Sequence, residues 1–238
     1  RSDWPAGVGA VSWHPLAIAN GKRKTANGNT TVIQSNTLIH FNAPSDGEQT
    51  LIQTDPLHSA NDRLIDLSGS GINSPIIAWV GAGDDVVLLS KDGRLWRFVI
   101  YTRSLTAITQ SETIDGFLAA PNGQTIVAHT PANQLFTIGI DGKNKRELKE
   151  TGSLAGVVWS PDSTALWLAM TENGLAVQRI IVATDSAASY ATPSGEAVGA
   201  LSQTLVTSDE KTLILAGTSG LATLTLVPIS YPVVTPIK

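Results

Sequence analysis

The side chains best suited to chemistry in this sequence are its 4 histidines and its 20 acidic residues. Histidine can act as a general base or a metal ligand, and a pair of carboxylates can hydrolyse a glycosidic bond. Cysteine is absent, which excludes thiolate metal sites and cysteine nucleophiles. No metal-ligand spacing such as H-E-x-x-H relates the histidines, which are His14, His40, His58 and His129. We therefore predict no metal site and no cofactor.

His129 is the most informative histidine, because apolar residues fill its position in related segments of the chain. Those residues are Leu89, Ala169 and Ala216. A polar side chain in such a column is most simply interpreted as a core histidine that is hydrogen-bonded to backbone or water. A pH-sensing role is the alternative.

Signatures of serine nucleophiles and phosphate sites are also missing from the sequence. The string nearest to G-x-S-x-G is Ser68–Gly71, which lacks the glycine placement and the strand-to-helix context. Gly81–Gly83 precedes two aspartates, which would repel an anion. Among the carboxylates, Asp115 lies nearest to one of the strands predicted to begin a repeat unit. A catalytic pair needs two carboxylates, so Asp115 alone cannot form one. We predict that the protein is not an enzyme, and a hydrolase with a degenerate site is the least favoured alternative.

The elements that would position these side chains are predicted to be β-strands. Hydrophobic residues make up 42% of the 238 residues and charged residues 15%, with a net charge of −4. This content is too apolar for a disordered polyelectrolyte and too poor in charge for a coiled coil. Short clusters of Val, Ile, Leu, Thr and Trp are separated by turn residues, which is typical of an all-β protein. The best helical candidate is a weak amphipathic stretch at residues 60–67.

An internal repeat organises the predicted strands. Trp79, Ala119 and Trp159 lie 40 residues apart, and Val206 follows 47 residues after the last of them. A polar turn and then an apolar run follow each anchor, and a second turn leads to a third strand. Strands that are apolar at every position must be covered on both faces, as they are when four-stranded blades pack radially. The repeat therefore predicts a β-propeller.

We predict five blades, with a sixth left open, at residues 8–53, 73–110, 114–150, 154–192 and 197–229. In the first unit, Leu38–Phe41 is interpreted as the third strand, and an insertion at residues 16–29 replaces the tight turn of the other units. Residues 54–72 are left over, as a long loop or a partial blade. The propeller domain is predicted at residues 1–229, followed by a C-terminal extension or linker at 230–238.

Two motifs resemble those of known propellers. Trp159–Ser163 resembles the WSPDG opening of TolB-type and WD-repeat propellers, and Ser90–Trp96 resembles a further segment of that family. The Gly-His and Trp-Asp dipeptides of true WD repeats are absent. The resemblance covers roughly residues 8–229. It implies the fold and the usual strand order within a blade, and it implies no activity.

That strand order places the charges unevenly. Turns between the first and second strands, and between the third and fourth, would open on one face. The cations predicted there are Lys22, Arg23, Lys24, Arg103, Lys143, Lys145 and Arg146. Units four and five would place acids on that face, and the opposite face would carry acids such as Glu112. The alternative is that these loops are charged only because they are solvated.

We predict a non-catalytic propeller that serves as a platform for protein–protein contact within a larger or multi-component protein. The contacts are expected mainly at the two irregular insertions, residues 16–29 and 54–72, and at the cation-bearing turns. The candidate residues are Lys22, Arg23, Lys24, His58, Asp62, Arg63, Arg103, Lys143 and Arg146. A ligand- or glycan-binding propeller, lectin-like or sensory, is the alternative.

Nucleic acid and membrane are not expected as partners. The cations are scattered and diluted by aspartates, so they form no nucleic-acid-binding stripe. No apolar run reaches the ~18 residues that a bilayer span requires, so we expect no direct membrane insertion. Low charge, no cysteine and abundant Ser, Thr and Asn slightly favour an extracytoplasmic bacterial protein, either periplasmic or secreted.

Overall fold

The computed structural model spans residues 1–238. Before residue 72 it describes the backbone of six short strands, and beyond them it describes residues 72, 76–80, 85–90, 92–99, 102–148, 154–171, 175–190 and 201–226. At residues 76–79, Leu88 and Ser202 the backbone alone is described. Every regular element in these ranges is a β-strand, so the all-β prediction is confirmed. Nothing in them forms a helix long and apolar enough to cross a membrane.

The described strands form four sheets of four strands, one sheet of three and one hairpin. Sheet 1 contains β1 (Val11–Trp13), β4 (Leu38–Asn42), β5 (Thr50–Thr54) and β6 (Arg63–Asp66). Sheet 2 contains β7 (Ile76–Val80), β8 (Asp85–Leu89), β9 (Leu95–Val99) and β10 (Ser104–Ala107). Sheet 3 contains β11 (Gly116–Ala119), β12 (Thr125–His129), β13 (Leu135–Gly139) and β14 (Arg146–Leu148).

The remaining strands follow the same antiparallel order. Sheet 4 contains β15 (Leu154–Trp159), β16 (Ala165–Met170), β17 (Ala176–Ile181) and β18 (Ser186–Tyr190). Sheet 5 contains β19 (Leu201–Val206), β20 (Thr212–Gly217) and β21 (Gly220–Thr225). The hairpin is formed by β2 (Lys22–Lys24) and β3 (Thr30–Val32).

The pairing register repeats from sheet to sheet. In sheets 2 to 5 the anchor residue of the first strand pairs with the residue seven positions later: Trp79 with Val86, Ala119 with Ile126, Trp159 with Leu166 and Val206 with Leu213. All four second-strand partners are completely buried, at 0% exposure. A strand buried on both faces needs an apolar residue at every position, which explains the continuous apolar runs of the sequence.

In sheets 3 to 5 the same type of turn joins the first strand to the second. Its first residue accepts a hydrogen bond from the fourth residue, as in Gly123 N–H to the Ala120 carbonyl and Ser163 N–H to the Ser160 carbonyl, both at 2.9 Å. The fourth residue is left-handed, with φ of 71° at Gly123, 65° at Ser163 and 54° at Glu210. This is the geometry of a three-residue hairpin loop that ends in a left-handed residue, which matches the twist of the flanking strands. The predicted Pro-led polar turns at residues 120–123 and 160–163 are therefore confirmed.

Sheet 1 corrects three predictions. Leu38–Asn42 pairs directly with β1, so it is the second strand of the sheet and the third-strand interpretation is wrong. The insertion after β1 contains the β2–β3 hairpin. Residues 54–72 were expected to be a long loop or part of an additional blade. They instead contain β6, which is the fourth strand of sheet 1. The same strand occupies the weak helical candidate at 60–67.

The chain divides into two compact units near residue 147. The first unit includes sheets 1 to 3, and an aliphatic core there joins sheets 2 and 3 through residues such as Val87, Leu95, Phe117 and Phe136. The second unit includes sheets 4 and 5, whose shared core contains Trp167, Val177, Leu213 and Leu224. Each unit therefore buries its own apolar side chains.

Candidate functional site

Arg103 lies at the tip of the turn that joins β9 to β10. Its backbone is left-handed, with φ of 54°, and the hydroxyls of Thr102 and Ser104 lie 2.9 Å apart on either side of it. The side chain is exposed, and no described residue forms an ion pair or hydrogen bond with its guanidinium. Five hydrogen-bond donors and a full positive charge are thus available to a binding partner.

The equivalent turn of sheet 4, between β17 and β18, presents an acid. Asp185 is left-handed with φ of 57°, and the hydroxyls of Thr184 and Ser186 lie 2.7 Å apart. Two turns with the same left-handed position and the same flanking hydroxyl pair therefore carry a cation in one unit and an anion in the other. The left-handed region favours Gly, Asn and Asp, so the backbone does not explain the choice of arginine at position 103.

Lys143 occupies the corresponding connection of sheet 3, between β13 and β14. Its side chain is 79% exposed, and its ammonium lies 3.8 Å from a carboxylate oxygen of Asp141. An exposed pair at that distance contributes little free energy and leaves the lysine available to a partner. Arg146 begins β14 and is half-buried, with polar contacts of its own. The connection therefore offers Lys143 as its accessible cation.

The other predicted contact residues fall on sheet 1 and its hairpin. Lys22, Arg23 and Lys24 form β2, and Arg63 is the first residue of β6. Their backbone is described and their side chains are not. His58 and Asp62 lie outside the described residues. Their role in binding stays a prediction.

Chain topology places the cation-bearing connections at one end of their sheets. The β2–β3 hairpin lies between the first and second strands of sheet 1, whereas Arg103 and Lys143 lie between the third and fourth strands of sheets 2 and 3. In an antiparallel sheet whose strands follow chain order, these two kinds of connection emerge at the same end. Contacts between β1 and β7 and between β7 and β11 make the three sheets neighbours. The Arg103 turn, the Lys143 connection and the β2–β3 hairpin thus lie at the same topological end of three neighbouring sheets.

The predicted separation of charges into two faces is too strict. Lys145 and Glu112 were expected on opposite faces, but the ammonium of Lys145 donates to Glu112 Oε1 at 2.9 Å. The same ammonium lies 4.5 Å from the centre of the Phe136 ring. This hydrogen bond lowers the pKa of the Glu112 carboxyl. Strand twist brings the connection between β13 and β14 against the segment that joins β10 to β11. Lys145 is therefore used in a structural contact.

Acidic turn residues of the second unit are committed to their own turns. The Ser160 hydroxyl donates to Asp162 Oδ1 at 2.6 Å, and the Thr164 N–H donates to the same oxygen at 3.0 Å. These bonds stabilise the carboxylate and lower the pKa of Asp162 to about 2. In the next sheet, the Thr207 hydroxyl lowers the pKa of Asp209 in the same way. Each carboxylate accepts from the N–H of the residue after the left-handed one, Thr164 or Lys211, and so closes its turn.

Glu210 forms a contact that the sequence did not reveal. Its carboxylate accepts from Trp167 Nε1 at 3.2 Å and from Arg179 Nε at 3.0 Å, which links sheet 5 to sheet 4. The Arg179 guanidinium also lies 5.7 Å from the Trp167 ring, and Tyr190 packs on that ring at 4.8 Å. A signal did exist: a glutamate in a position that otherwise holds Gly123 or Ser163 is unusual in a left-handed turn.

His129 is a buried residue with two side-chain contacts. It is 2% exposed, with Nδ1 at 2.6 Å from Asp115 Oδ1 and Nε2 at 3.2 Å from Asn133 Oδ1. The predicted core histidine is confirmed by its burial, and two of its partners are side chains. Asp115, the acid considered for catalysis, is the carboxylate that holds it.

The three tryptophans whose side chains are described, Trp96, Trp159 and Trp167, lie in or against the core and form no aromatic pocket at the surface. Trp159 and Trp167 are 5% and 1% exposed. Trp96 is half-buried, and its Nε1 is enclosed without a hydrogen-bond partner. Glycan sites generally stack sugars on exposed aromatic rings next to polar groups. The described residues therefore offer no specific support for the glycan-binding alternative.

Comparisons with known proteins identify the fold. No protein family matches the sequence, and no curated protein is significantly similar to it. Among solved structures, the chain is similar to TolB from Acinetobacter baumannii, with a TM-score of 0.52 and 15% sequence identity. The match covers 75% of this chain and 46% of that chain, so the chain spans less than half the length of TolB.

The fold is a TolB-like β-propeller. The similarity to the TolB structure supports the predicted resemblance to TolB-type propellers. It does not support the predicted resemblance to WD-repeat propellers. At 15% identity the likeness concerns the fold alone. Because 1167 chains of solved structures match significantly, the fold is widespread and by itself specifies no activity. The number of blades stays a prediction.

Proposed function

We propose that this chain is a non-catalytic β-propeller that binds a protein partner through the cation-bearing end of its first unit. The binding surface comprises the Arg103 turn, the Lys143 connection and the β2–β3 hairpin. The observation that carries the proposal is the opposite charge at the left-handed position of two equivalent turns: Arg103, which has no partner among the described residues, stands in one unit, and Asp185 stands in the other. A charge that the fold does not need is best explained by a partner.

The partner surface that fits these residues is acidic. Arg103 has no partner among the described residues, and Lys143 has one weak contact at 3.8 Å. Guanidinium and ammonium groups on rigid turns suit recognition of carboxylates, with arginine able to bind them in a bidentate manner. Such contacts mainly steer encounter and set specificity, and salt weakens them. We therefore expect salt-sensitive binding.

The commitment of acidic side chains to structural contacts supports a role without catalysis. Asp115 holds His129, Asp85 accepts from Arg97 at 3.1 Å, and Glu210 holds Arg179. In the described part of the chain, no group of three or more His, Asp or Glu residues could hold a metal ion.

Low charge and abundant Ser, Thr and Asn favour an extracytoplasmic location for the protein.

Site-specific photo-crosslinking in cells tests the proposal. A benzophenone amino acid is placed at position 103 or 143, and at position 94 as the control, because Arg94 is an exposed cation at the opposite end of the same sheet as Arg103. We expect one discrete protein adduct from positions 103 and 143 and none from position 94. Equal adducts from all three positions, or no adduct from any, would reject the cationic end as the binding surface.

A further inference from the structure

The Lys143 connection, between β13 and β14, has a shape that is fixed by its own hydrogen bonds. The Gly139 N–H donates to the Lys143 carbonyl at 2.7 Å, and the Gly142 N–H donates to the Gly139 carbonyl at 2.9 Å. The Lys143 N–H donates to Asp141 Oδ1 at 3.0 Å. Gly142 and Asn144 are left-handed, with φ of 77° and 55°. All of these bonds lie within sheet 3, so they do not tie the connection to a neighbouring sheet.

Two further contacts tie the Lys143 connection to the segment that follows β10 of sheet 2. A β-carbon added at Gly142 would lie 3.0 Å from the carbonyl oxygen of Ile108, so the two backbones touch there. Lys145 Nζ donates to Glu112 Oε1 at 2.9 Å and lies 4.5 Å from the centre of the buried Phe136 ring. The ring belongs to β13, so the ammonium is held between sheet 3 and the segment after β10.

The segment that contains Glu112 continues from the Arg103 turn. Arg103 directly precedes β10, which pairs along its whole length with β9. After β10, the Ile108 N–H donates to the Leu95 carbonyl at 2.8 Å, and the Leu95 N–H donates to Thr109 Oγ1 at 2.9 Å. Ile108 and Thr109 are buried. The chain from the Arg103 turn to Thr109 is therefore fixed on sheet 2.

We propose that Lys145 and Glu112 are positioning residues, which hold the Arg103 turn and the Lys143 connection at a fixed separation and so select partners whose carboxylates match it. The inference rests on the proposed function, because it takes Arg103 and Lys143 as the groups that bind the partner. When two contacts lie on one rigid body, the second forms at a high effective concentration, provided that the spacing matches. Fixing the spacing before binding also reduces the conformational entropy that binding costs.

Stability alone gives a weak reason for the contact between Lys145 and Glu112. The two side chains are 36% and 27% exposed, and ion pairs at such exposure add little to the free energy of unfolding. Ordering a lysine side chain also costs entropy. Sheets 2 and 3 already share an aliphatic core, so they need no charge to stay in contact. The hydrogen bond from Lys145 lowers the pKa of Glu112, so the contact is between charged groups at neutral pH.

Asp85 and Arg97 provide a matched control pair. Their charged atoms lie 3.1 Å apart, and the side chains are 25% and 33% exposed. Both residues belong to sheet 2, on the neighbouring strands β8 and β9, which pair through their backbones. Asp85→Ala therefore removes one acid and one ion pair of similar exposure, and it leaves the contact between the Lys143 connection and sheet 2 intact.

Distance measurements between two spin labels test the positioning without a partner. The chain contains no cysteine, so labels can be attached to cysteines introduced at the exposed positions 102 and 143. We expect one narrow distance distribution in the labelled chain and in its Asp85→Ala variant. In the Glu112→Ala variant we expect a distribution at least about twice as broad. Equal widths in these two variants would overturn the inference.

The affinity for the protein captured at position 103 tests whether the positioning serves binding. Glu112→Ala keeps every cation and removes one acid, so charge alone predicts tighter binding to an acidic partner, as it does for Asp85→Ala. Positioning predicts the opposite for Glu112→Ala, a Kd about three- to tenfold higher. Lys145→Arg, which keeps the cation and can stack on Phe136, should bind like the intact chain.

The double variant Arg103→Asn/Lys143→Gln separates failure of this inference from failure of the proposed function. If the double variant raises the Kd and Glu112→Ala leaves it equal or lowers it, the inference is overturned and the binding surface stands. If the double variant leaves the Kd unchanged, the proposed function is rejected, and the inference falls with it.

Discussion

The boundary between sheets 2 and 3 is built mainly from backbone and aliphatic contacts, with the Lys145–Glu112 pair beside them, whereas the boundary between sheets 4 and 5 contains the less exposed Arg179–Glu210 pair. In the first, Gly93 packs against Ile114, and Gly142 packs against the carbonyl of Ile108, each at about 3 Å from where a β-carbon would lie. In the second, Glu210 bridges Trp167 and Arg179. Sheets 2 and 3 and sheets 4 and 5 share the same pairing register within each sheet. Different side-chain contacts nevertheless join the two sheets of each pair.

The innermost strands differ in the same way. In sheets 2 and 3 the first strand pairs with the second without interruption. In sheets 4 and 5 a β-bulge interrupts the pairing, between Leu154 and Gly156 and between Leu201 and Gln203. A bulge bends its strand and increases the local twist. The two bulged strands approach closely at Gly156 and Thr204, where the Thr204 hydroxyl is buried without a partner. The sequence repeat accounts for the pairing register within each sheet, and the β-bulges influence how the first strands of sheets 4 and 5 contact each other.

The largest effect is expected from Gly93→Ala at the boundary between sheets 2 and 3. Gly93 has φ of +82°, and an added β-carbon would lie 2.7 Å from Thr113 Cγ2 and 3.0 Å from Ile114 N. Left-handed strain and overpacking together should cost about 2–4 kcal/mol in the free energy of unfolding. Gly220→Ala is the comparison for backbone strain without a clash, because φ is +138° there and nothing lies within 4 Å. Chemical denaturation showing equal losses for the two variants would contradict tight packing at Gly93.

Gly156→Ala tests the boundary between sheets 4 and 5. Its β-carbon would overlap Thr204 Oγ1, so we expect a loss of about 1–3 kcal/mol in the free energy of unfolding. Thr204→Ala alone should be close to neutral, because it removes a buried hydroxyl without a partner. The double variant should recover part of the loss, with a coupling energy above about 0.5 kcal/mol. Strict additivity in the denaturation cycle would show that the two side chains do not meet.

Glu210→Gln tests whether charge matters at the same boundary. The amide oxygen can still accept from Trp167, so the variant removes chiefly the ion pair with Arg179, whose partners are 23% and 22% exposed. We expect a loss of about 1 kcal/mol, which 1 M salt reduces. Glu112→Gln, which breaks the pair with Lys145, should cost about 0.5 kcal/mol or less. Equal costs, independent of salt, would remove the distinction between the two boundaries.

The smallest effect is a difference in acid sensitivity between equivalent turns. The folded-state pKa of Asp162 is about 2, against 3.8 for the ordinary carboxyl, so its contribution is present above pH 3.8 and is lost as the pH falls towards 2. Asn122 fills the same position in sheet 3 and does not titrate. We expect Asp162→Asn to flatten the decline of unfolding free energy between pH 4 and pH 2, and Asn122→Asp to steepen it. Parallel pH profiles for all three proteins would refute this origin of acid sensitivity.

The fold of sheets 2 to 5 was predictable from the sequence because local signals agree. Each anchor precedes a turn of constant length, and that turn forces the register that places Val86 or Leu166 in the core. Sheet 1 escaped the prediction because its insertion separates Trp13 from its partner Leu38 by a whole hairpin. The short strand Arg63–Asp66 carries charge at both ends, so its pattern resembled a loop or a helix.

The candidate site was predictable only in part. Arg103 and Lys143 were expected on exposed turns, and both lie on them. The contacts of Lys145 with Glu112 and of Glu210 with Trp167 join residues 33 and 43 positions apart. They depend on how twisted sheets stack, which no local pattern encodes. Charge segregation was therefore overstated, because some charges are used inside the fold.

The measurement that tests the binding surface most directly is the affinity for the protein captured at position 103. Calorimetry compares the intact chain, the Arg103→Asn/Lys143→Gln double variant and Arg94→Gln at low and physiological salt. Asparagine suits the left-handed backbone at position 103, so the double variant should fold normally. We predict a Kd about tenfold or more higher for the double variant, with weaker salt dependence, and an unchanged Kd for Arg94→Gln. The same Kd for all three proteins would contradict binding through the cationic end.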